Sequence, residues 1–568
     1  MKIVLVGLNS SYSHSNLALE FIKSYNSNYD MEILTFTVNQ NLEYILEKIC
    51  ETSPDYVGFS TYIFNVNEVL KLASDLKKAM PDVLIAMGGP EVSYSTLEFM
   101  NDYNFVDFVI SGEGEIPTGK LFDAINGKCD FKDVPALTYR ENGEILINKN
   151  WAMVSNLDEI PSPYKDMDYS REKIVYYEAS RGCPFSCAFC LSAMSGKLRF
   201  FSANRIKSDL KYIFESPARI IKFTDRTFNA KESWTMEIMD FIEKNAPEHQ
   251  VYHLEIYADI LSDRLLEFLK HRRKGLFQLE IGVQSTNQKT LKAVGRNTNI
   301  KRLKYAVKKI MSYDNMHIHL DLIAGLPYED YKSFRNSFNE VYSMDAEKIQ
   351  LGFLKVLKGS IMENIANEHE IIYRDYAPYE VISTKYISSF EIMLLKNIED
   401  VVEKFHNEDY FYNAINYIIE SFFETPFDFF ESLGKYWKEK DFRRKLHSRA
   451  SLYEILWQYY LDNNFPNSDY FNSLLIYDFC LNNKRLPPKF SKPELLKKRA
   501  VYNYLRDVLK YDANRAKRIG ADLFLIKFPY DIMENDIVKQ NTFILFDHNK
   551  ERIETIKIDT EIGEKISE

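Results

Sequence analysis

Cysteine is scarce in this chain, with six in 568 residues, and three of those six fall within eight positions. So sparse a set builds no disulfide framework, and the clustering suits metal binding in a reducing compartment. Cys50, Cys129 and Cys480 stand alone and read as small buried apolar residues. Long apolar runs are lacking too. The opening MKIVLVGLNSSYSH reads as a strand entering a polar loop, without a cleavage site and too short for a membrane span, which predicts a cytoplasmic protein with no membrane partner. There is no excess of positive charge: 72 basic residues face 82 acidic ones, a net charge of −10 that disfavours nucleic acid and anionic lipid. No internal repeat or low-complexity tract interrupts the chain. No Gly-x-Gly-x-x-Gly follows the first strand, where GLNSSYS stands, so a dinucleotide fingerprint is missing.

What is present is an ordinary globular balance, 45% hydrophobic and 27% charged, made unusually aromatic by 38 Tyr and 39 Phe. The length calls for roughly two to four domains. Over residues 1–150 apolar strand runs (KIVLVGL, MEILTFTV, YVGFSTY, VLIAMGG, FVDFVISG) alternate with amphipathic helical patterns. That pattern predicts a Rossmann-type parallel sheet covered on both faces. Asn142-Gly143 between two alternating runs predicts a hairpin closing the domain. The Pro-, Asp- and Ser-rich stretch within 151–173 reads as a linker crossing the surface.

From 174 to 376 the alternation resumes with six strand runs, IVYYEAS, RIIKFTD, HLEIYA, FQLEIGVQ, HIHLDLIAG and IQLGFLKVL. The fold expected is a partial parallel (β/α)6 barrel whose ligands gather at the carboxyl ends of the strands. Residues 377–568 read as a mostly helical domain whose end, ADLFLIKFPYDI through RIETIKID, turns to strands.

The cysteine cluster follows the first barrel strand in ASRGCPFSCAFCLS, where Cys183, Cys187 and Cys190 have C-x3-C-x2-C spacing. Three thiolates can hold three irons of a cubane and leave the fourth open to a small molecule. Gly182 and Pro184 permit a tight loop, and Phe185 and Phe189 can exclude water. The alternatives are a zinc knuckle and plain buried cysteines. Zinc needs a fourth ligand, and no His or Cys follows until His249.

This string resembles the radical S-adenosylmethionine (SAM) superfamily over roughly residues 174–373. The resemblance implies a [4Fe–4S] cluster on Cys183, Cys187 and Cys190, with SAM on the open iron cleaved by one electron to methionine and a 5′-deoxyadenosyl radical. It also implies SAM contacts from Phe189 near adenine, Glu280 and Gln284 in LEIGVQS, and Arg296 in LKAVGRN toward the carboxylate. FTDRTFN and AGLPYED resemble further motifs of the family.

A Rossmann-type domain ahead of such a barrel resembles the cobalamin-binding domain of a large branch that includes methylases and anaerobic tetrapyrrole cyclases. The matching strings are GLNSSYSHSN, GFSTYIFN, GGPEVS and ISGEGE, which imply cobalamin contacts from Asn9, Ser11, Ser60, Tyr62, Gly88, Gly89, Glu91, Gly112 and Glu113. The Asp-x-His-x-x-Gly cobalt-ligand motif is missing, and SYSHSN around His14 does not replace it. The helical C-terminal region resembles an uncharacterised domain attached to some of these proteins; it has no auxiliary-cluster cysteines and no basic RNA module.

The resemblance implies an enzyme, a cobalamin-dependent radical SAM methyltransferase acting on an unactivated carbon of a small molecule or peptide. SAM would give a methyl to cob(I)alamin in one turn and the radical in another, with electrons from a flavodoxin or ferredoxin. The alternatives are cyclisation, oxidation or rearrangement with the same cofactors, and a non-catalytic cobalamin or metal sensor. Which residues act catalytically is not readable from the sequence.

Overall fold

The computed structural model describes residues 1–194, 197–483, 494–496, 498–519, 523–532, 537–548 and 553–567. The chain divides into two compact units, residues 1–346 with 351–392, and residues 347–350 with 393–568.

The first unit begins with a seven-stranded sheet: β1 (Ile3–Asn9), β2 (Met31–Thr37), β3 (Tyr56–Ser60), β4 (Leu84–Gly88), β5 (Phe108–Ile110), β6 (Leu137–Glu141) and β7 (Glu144–Ile147), in the order β2-β1-β3-β4-β5-β6-β7. β1 to β5 run parallel, and β6 and β7 join antiparallel. All seven positions of β1 are buried, as expected for a strand covered on both faces. Val4, Val6 and Leu8 pack under the helices carrying Ile45, Ile49, Val69 and Leu72, while Ile3 and Leu5 pack with Leu19, Leu121 and Phe122 on the other face. Burying each such side chain contributes about 1.5–3 kcal/mol. The predicted hairpin turns at Asn142 and Gly143, both with positive φ, the twist that matches two-residue hairpins.

The second sheet holds β8 (Ile174–Tyr177), β11 (Ile220–Phe223), β12 (Val251–Ile256), β13 (Phe277–Gln284), β14 (His317–Ala324) and β15 (Lys348–Phe353), in the order β15-β14-β13-β12-β11-β8. Between β8 and β11 the short strands β9 (Ser180–Arg181) and β10 (Arg199–Phe200) pair antiparallel. The six long strands form the open, partial barrel that the alternating runs predict. Along β13 Phe277, Leu279, Ile281 and Val283 are buried, whereas Gln278, Glu280, Gly282 and Gln284 are half-buried. The register carries that second, polar set across the sheet: Lys222 beside His253, Glu255 beside Glu280, Glu280 beside His319 and Gly282 beside Asp321. One face of the sheet is therefore apolar and the other lined with titratable groups.

The linker does more than cross the surface. Tyr164 is fully buried with its ring 4.8 Å from that of Tyr177, and the Glu178 amide donates to its hydroxyl at 3.0 Å. Leu157 and Ile160 are buried beside it in sequence. These apolar side chains, spaced among the prolines and acids, give the segment its own anchoring.

The second unit has helices at Tyr412–Phe422, Pro426–Glu439, Arg449–Asp462 and Ser468–Asn482, with residues 393–405 of the helix Ser389–Phe405 also assigned to it. Its core is aromatic, with Trp437, Tyr453, Tyr459 and Tyr460 fully buried. An antiparallel sheet of Glu494–Leu495, Leu523–Phe528, Thr542–Asp547 and Glu554–Ile558 completes it. Ala521 and Asp522, the start of one predicted strand run, and Asn549 and Arg552 lie outside the described residues. Among the described residues no helix is long and apolar enough to cross a membrane.

Candidate active site

The cysteine loop, described over residues 182–194 and 197–198, is closed at its base by the β9–β10 pair. Gly182 opens it at φ +95°, where a Cβ would stand 3.1 Å from the Lys197 carbonyl oxygen, so only glycine sits there without strain. Cys187 is buried, and Cys183 and Cys190 are partly exposed. The Cys190 amide donates to the Cys187 carbonyl at 3.0 Å, closing a tight turn between the two cysteines.

Other barrel elements hold the loop. The Ala188 amide donates to the Val294 carbonyl at 2.9 Å, and Gly295, at φ +68°, lets that turn approach Ser186 closely. Arg296 donates from Nη1 to Cys187 Sγ at 3.6 Å and from Nη2 to the Gly282 carbonyl, with its guanidinium 4.3 Å over the Tyr257 ring. Burial pushes the Cys187 thiol up, and the Arg296 charge works against that rise by favouring thiolate. Phe185 stacks on the Tyr257 ring, with centroids 4.1 Å apart.

FTDRTFN supplies three further contacts. Asp225 is fully buried; it accepts from the Ala179 amide at 3.0 Å and from the Ser180 hydroxyl, and burial pushes its carboxyl to about 7. Thr227 Oγ1 lies 3.4 Å from Cys183 Sγ, and Arg226 points toward Glu255, with Nη1 to Oε1 3.4 Å.

On the polar face of the barrel, Glu280 Oε2 is 3.1 Å from Lys222 Nζ and 2.9 Å from His253 Nε2. Burial alone would raise the Glu280 carboxyl, but these partners hold it down at about 2. Gln284 stands at a β-bulge with φ +70°, and its Oε1 is buried without a hydrogen-bond partner among the described residues. Asp321 Oδ1 is likewise buried and unpartnered; burial, then the Glu280 and Glu255 charges, push that carboxyl well up.

A cavity of about 680 Å³ lies between the strand ends of the Rossmann-type sheet and the cysteine loop. Of the residues expected there, Ser60, Tyr62, Gly88, Gly89, Glu91 and Gly112 line it, and from the barrel Phe189 and Cys190 line it as well. Gly89, at φ +118°, would put a Cβ 2.4 Å from the Thr61 carbonyl oxygen. The cavity wall there is bare backbone because no side chain fits. Glu91 accepts from the Tyr379 hydroxyl and lies 3.2 Å from Lys358 Nζ.

Asn9, Ser11 and Glu113 do not line the cavity. Asn9 Nδ2 donates to the His14 carbonyl at 2.9 Å, Ser11 pairs with the Ser13 hydroxyl at 2.9 Å, and Glu113 is engaged by Arg181 and Arg199. His14 is hydrogen-bonded through Nδ1 to the Tyr176 hydroxyl. Glu280, Gln284 and Arg296 gather on the barrel instead. Sequence reasoning missed Arg226, Trp151 and Lys358, which do line the cavity. Of these only Arg226 left a signal, its place inside FTDRTFN.

Three family models match the chain: a B12 binding domain over residues 3–121, the radical SAM superfamily over 177–341, and a protein family of unknown function, DUF4080, over 367–559. Among curated proteins, the cobalamin-dependent radical SAM methyltransferase TokK of Streptomyces tokunonensis is 27% identical over 385 residues, covering 62% of this chain and 55% of that protein. A 2-(S-pantetheinyl)-carbapenam-3-carboxylate methyltransferase of Streptantibioticus cattleyicolor is 28% identical over 307 residues, covering 51% and 45%. The chain thus spans about half the length of these two relatives. Among solved structures, the cobalamin-dependent SAM radical enzyme OxsB, with aqua-cobalamin and SAM bound, superposes with a TM-score of 0.58 at 15% identity, over 82% of this chain and 79% of that one. That likeness is one of fold. In chain order, then, a segment matching the B12 binding domain comes first, a segment matching the radical SAM superfamily follows it, and a segment matching a family of unknown function comes last.

Proposed function

We propose that this protein is a cobalamin-dependent radical SAM enzyme that methylates an unactivated carbon of a small-molecule or peptide substrate, using electrons from a flavodoxin- or ferredoxin-type donor. The observation that carries the reading is the shared cavity, whose walls are glycine-rich strand ends on one side and Phe189 and Cys190 of the cysteine loop on the other. Two cofactors whose chemistry must meet are best served by one water-poor space.

The residues present fit both groups. Three thiols on one tight loop suit three corners of a cubane and leave the fourth to SAM. Among the described residues no three His, Cys, Asp or Glu side chains converge as ligands of a single ion, an arrangement a cubane does not need because its thiolates take different irons. On the other wall, Gly88 and Gly89 expose backbone where a bulky macrocycle requires close approach.

When bound, the cluster supplies the electron that cleaves SAM and cobalamin carries the methyl group. The chain's own residues bind and orient. Cys183, Cys187 and Cys190 would hold the cluster, with Arg296 favouring the Cys187 thiolate through its 3.6 Å contact. Arg296 Nε, buried without a hydrogen-bond partner among the described residues, is the donor it keeps for the SAM carboxylate, and the Gln284 Oε1, also without a partner among them, is an acceptor for SAM's amino or hydroxyl groups. Phe189 and Phe185 exclude water beside them. Glu280, ionised between Lys222 and His253, keeps the barrel face charged and ordered for substrate.

The test is anaerobic purification with hydroxocobalamin, followed by SAM and a strong reductant under mass spectrometry. Formation of both 5′-deoxyadenosine and S-adenosylhomocysteine, with cobalamin retained, is the expected result. 5′-Deoxyadenosine with neither cobalamin retention nor S-adenosylhomocysteine would refute methyl transfer and leave the same radical chemistry for cyclisation, oxidation or rearrangement.

A further inference from the structure

Among the described residues, two residue pairs of β9 and β10 close the cysteine loop, Arg181 with Arg199 and Ser180 with Phe200. Two arginines facing each other across an antiparallel pair repel, which should open the loop that carries all three cysteines. What offsets the repulsion comes from the B12-binding domain. Glu113 and Glu115 lie just beyond β5 in ISGEGE. Glu113 lies 3.3 Å from Arg181 Nη1 and also accepts from Arg199, and Glu115 accepts from Arg181 Nη2 at 2.6 Å. The Arg181 fork is completed by Glu178, at 2.9 Å from Nε. The Val154 amide donates to Glu113 at 3.2 Å, fixing the carboxylate from a third side. Arg181 is 11% exposed and Glu115 4%, so these pairs are poorly screened and replacing one member leaves a charge stranded.

We infer that Glu113 and Glu115 are positioning residues of the iron–sulfur site: they clamp the base of the cysteine loop from the neighbouring domain, so that cluster retention depends on residues of the B12-binding domain that touch neither cofactor. The inference rests on the reading of Cys183, Cys187 and Cys190 as cluster ligands. It reassigns Glu113 from a cobalamin contact to a clamp. It also ties the two cofactor sites together through one short segment, because Gly112, next to Glu113, lines the cavity.

The experiment uses the full-length protein reconstituted with iron, sulfide and hydroxocobalamin without oxygen, and follows iron transfer to a chromophoric chelator. Glu113→Gln is expected to lose iron at least tenfold faster than wild type while binding hydroxocobalamin with unchanged affinity. Adding Arg199→Gln to Glu113→Gln should slow the loss again, because the double variant removes the repulsion that the carboxylate neutralised; a merely structural defect would worsen. If Glu113→Gln does not fold, Arg199→Lys keeps the charge but loses the fork and should release iron several-fold faster. Iron loss at the wild-type rate in these variants overturns the clamp, as does weakened cobalamin binding with iron retention intact, which would restore Glu113 to the cobalamin site. A wild-type protein that takes up no iron refutes the cluster assignment itself, and the clamp with it.

Discussion

Replacing Gly89 with alanine places a methyl group where the structure has no room. The new Cβ would stand 2.4 Å from the Thr61 carbonyl oxygen, 3.1 Å from its nitrogen and 3.2 Å from its carbonyl carbon, all backbone atoms that no rotamer change can move. The two strand ends are themselves joined, with the Thr61 amide donating to the Gly88 carbonyl at 2.7 Å, so relief means breaking that bond at about 1 kcal/mol. The positive φ adds about 1–2 kcal/mol for any L side chain. Together with residual strain the loss should be about 2–4 kcal/mol. Because Gly89 lines the cavity, hydroxocobalamin affinity should fall at least tenfold, about 1.4 kcal/mol. Gly127→Ala is the control: it has φ +73° with nothing within 4 Å of the added Cβ, so it carries the conformational cost alone. Both variants are compared with wild type by urea denaturation and by absorbance titration with hydroxocobalamin. A Gly89→Ala protein that is no less stable than Gly127→Ala and binds hydroxocobalamin normally would refute the close-approach argument.

Other perturbations follow from the same geometry. Glu280 titrates at about 2 in the folded chain, below its ordinary 4.5, so its ion pairs contribute stability that is present above about 4.5 and lost as the pH falls toward 2. Glu280→Gln should remove roughly 3 kcal/mol of that acid-dependent stability, the equivalent of the shift, and flatten the acid limb of a stability–pH curve. Asp225→Ala orphans the Ala179 amide and the Ser180 hydroxyl, at about 1–3 kcal/mol, and should loosen the cysteine loop as measured by hydrogen exchange. Asp225→Asn keeps an acceptor and should exchange close to wild type. In the second unit, buried Asp478 accepts from Asn413 Nδ2 at 2.6 Å and the Ala414 amide at 2.9 Å, so Asp478→Ala should lower the melting temperature of that unit and leave hydroxocobalamin binding unchanged.

Much of the fold was legible because its local signals are strong. A strand buried on both faces, such as β1, has a continuous apolar run, and Asn142-Gly143 allows little but a tight hairpin turn. The cysteine spacing was legible because three soft ligands in one loop have few other uses. What the sequence could not convey is what a strand-end side chain meets across the chain. Glu113 and Arg199 are 86 positions apart, and Arg181 and Glu115 are 66. No periodicity relates such pairs, so Glu113 read as a ligand-facing residue when it is an ion-pair partner. Trp151 and Lys358 were invisible for the same reason, since they reach the cavity from segments with no motif. Tyr164 was hidden by its neighbours, because a linker composition rich in Pro and Asp masks one deeply buried ring.

The most direct test compares wild type with Cys187→Ala after anaerobic reconstitution, measuring iron per chain and 5′-deoxyadenosine formed from SAM under a strong reductant. Wild type should hold about four irons and form 5′-deoxyadenosine, and Cys187→Ala should lose both together. A Cys187→Ala protein that still cleaves SAM at the wild-type rate would contradict the assignment of the cysteine loop as the cluster site.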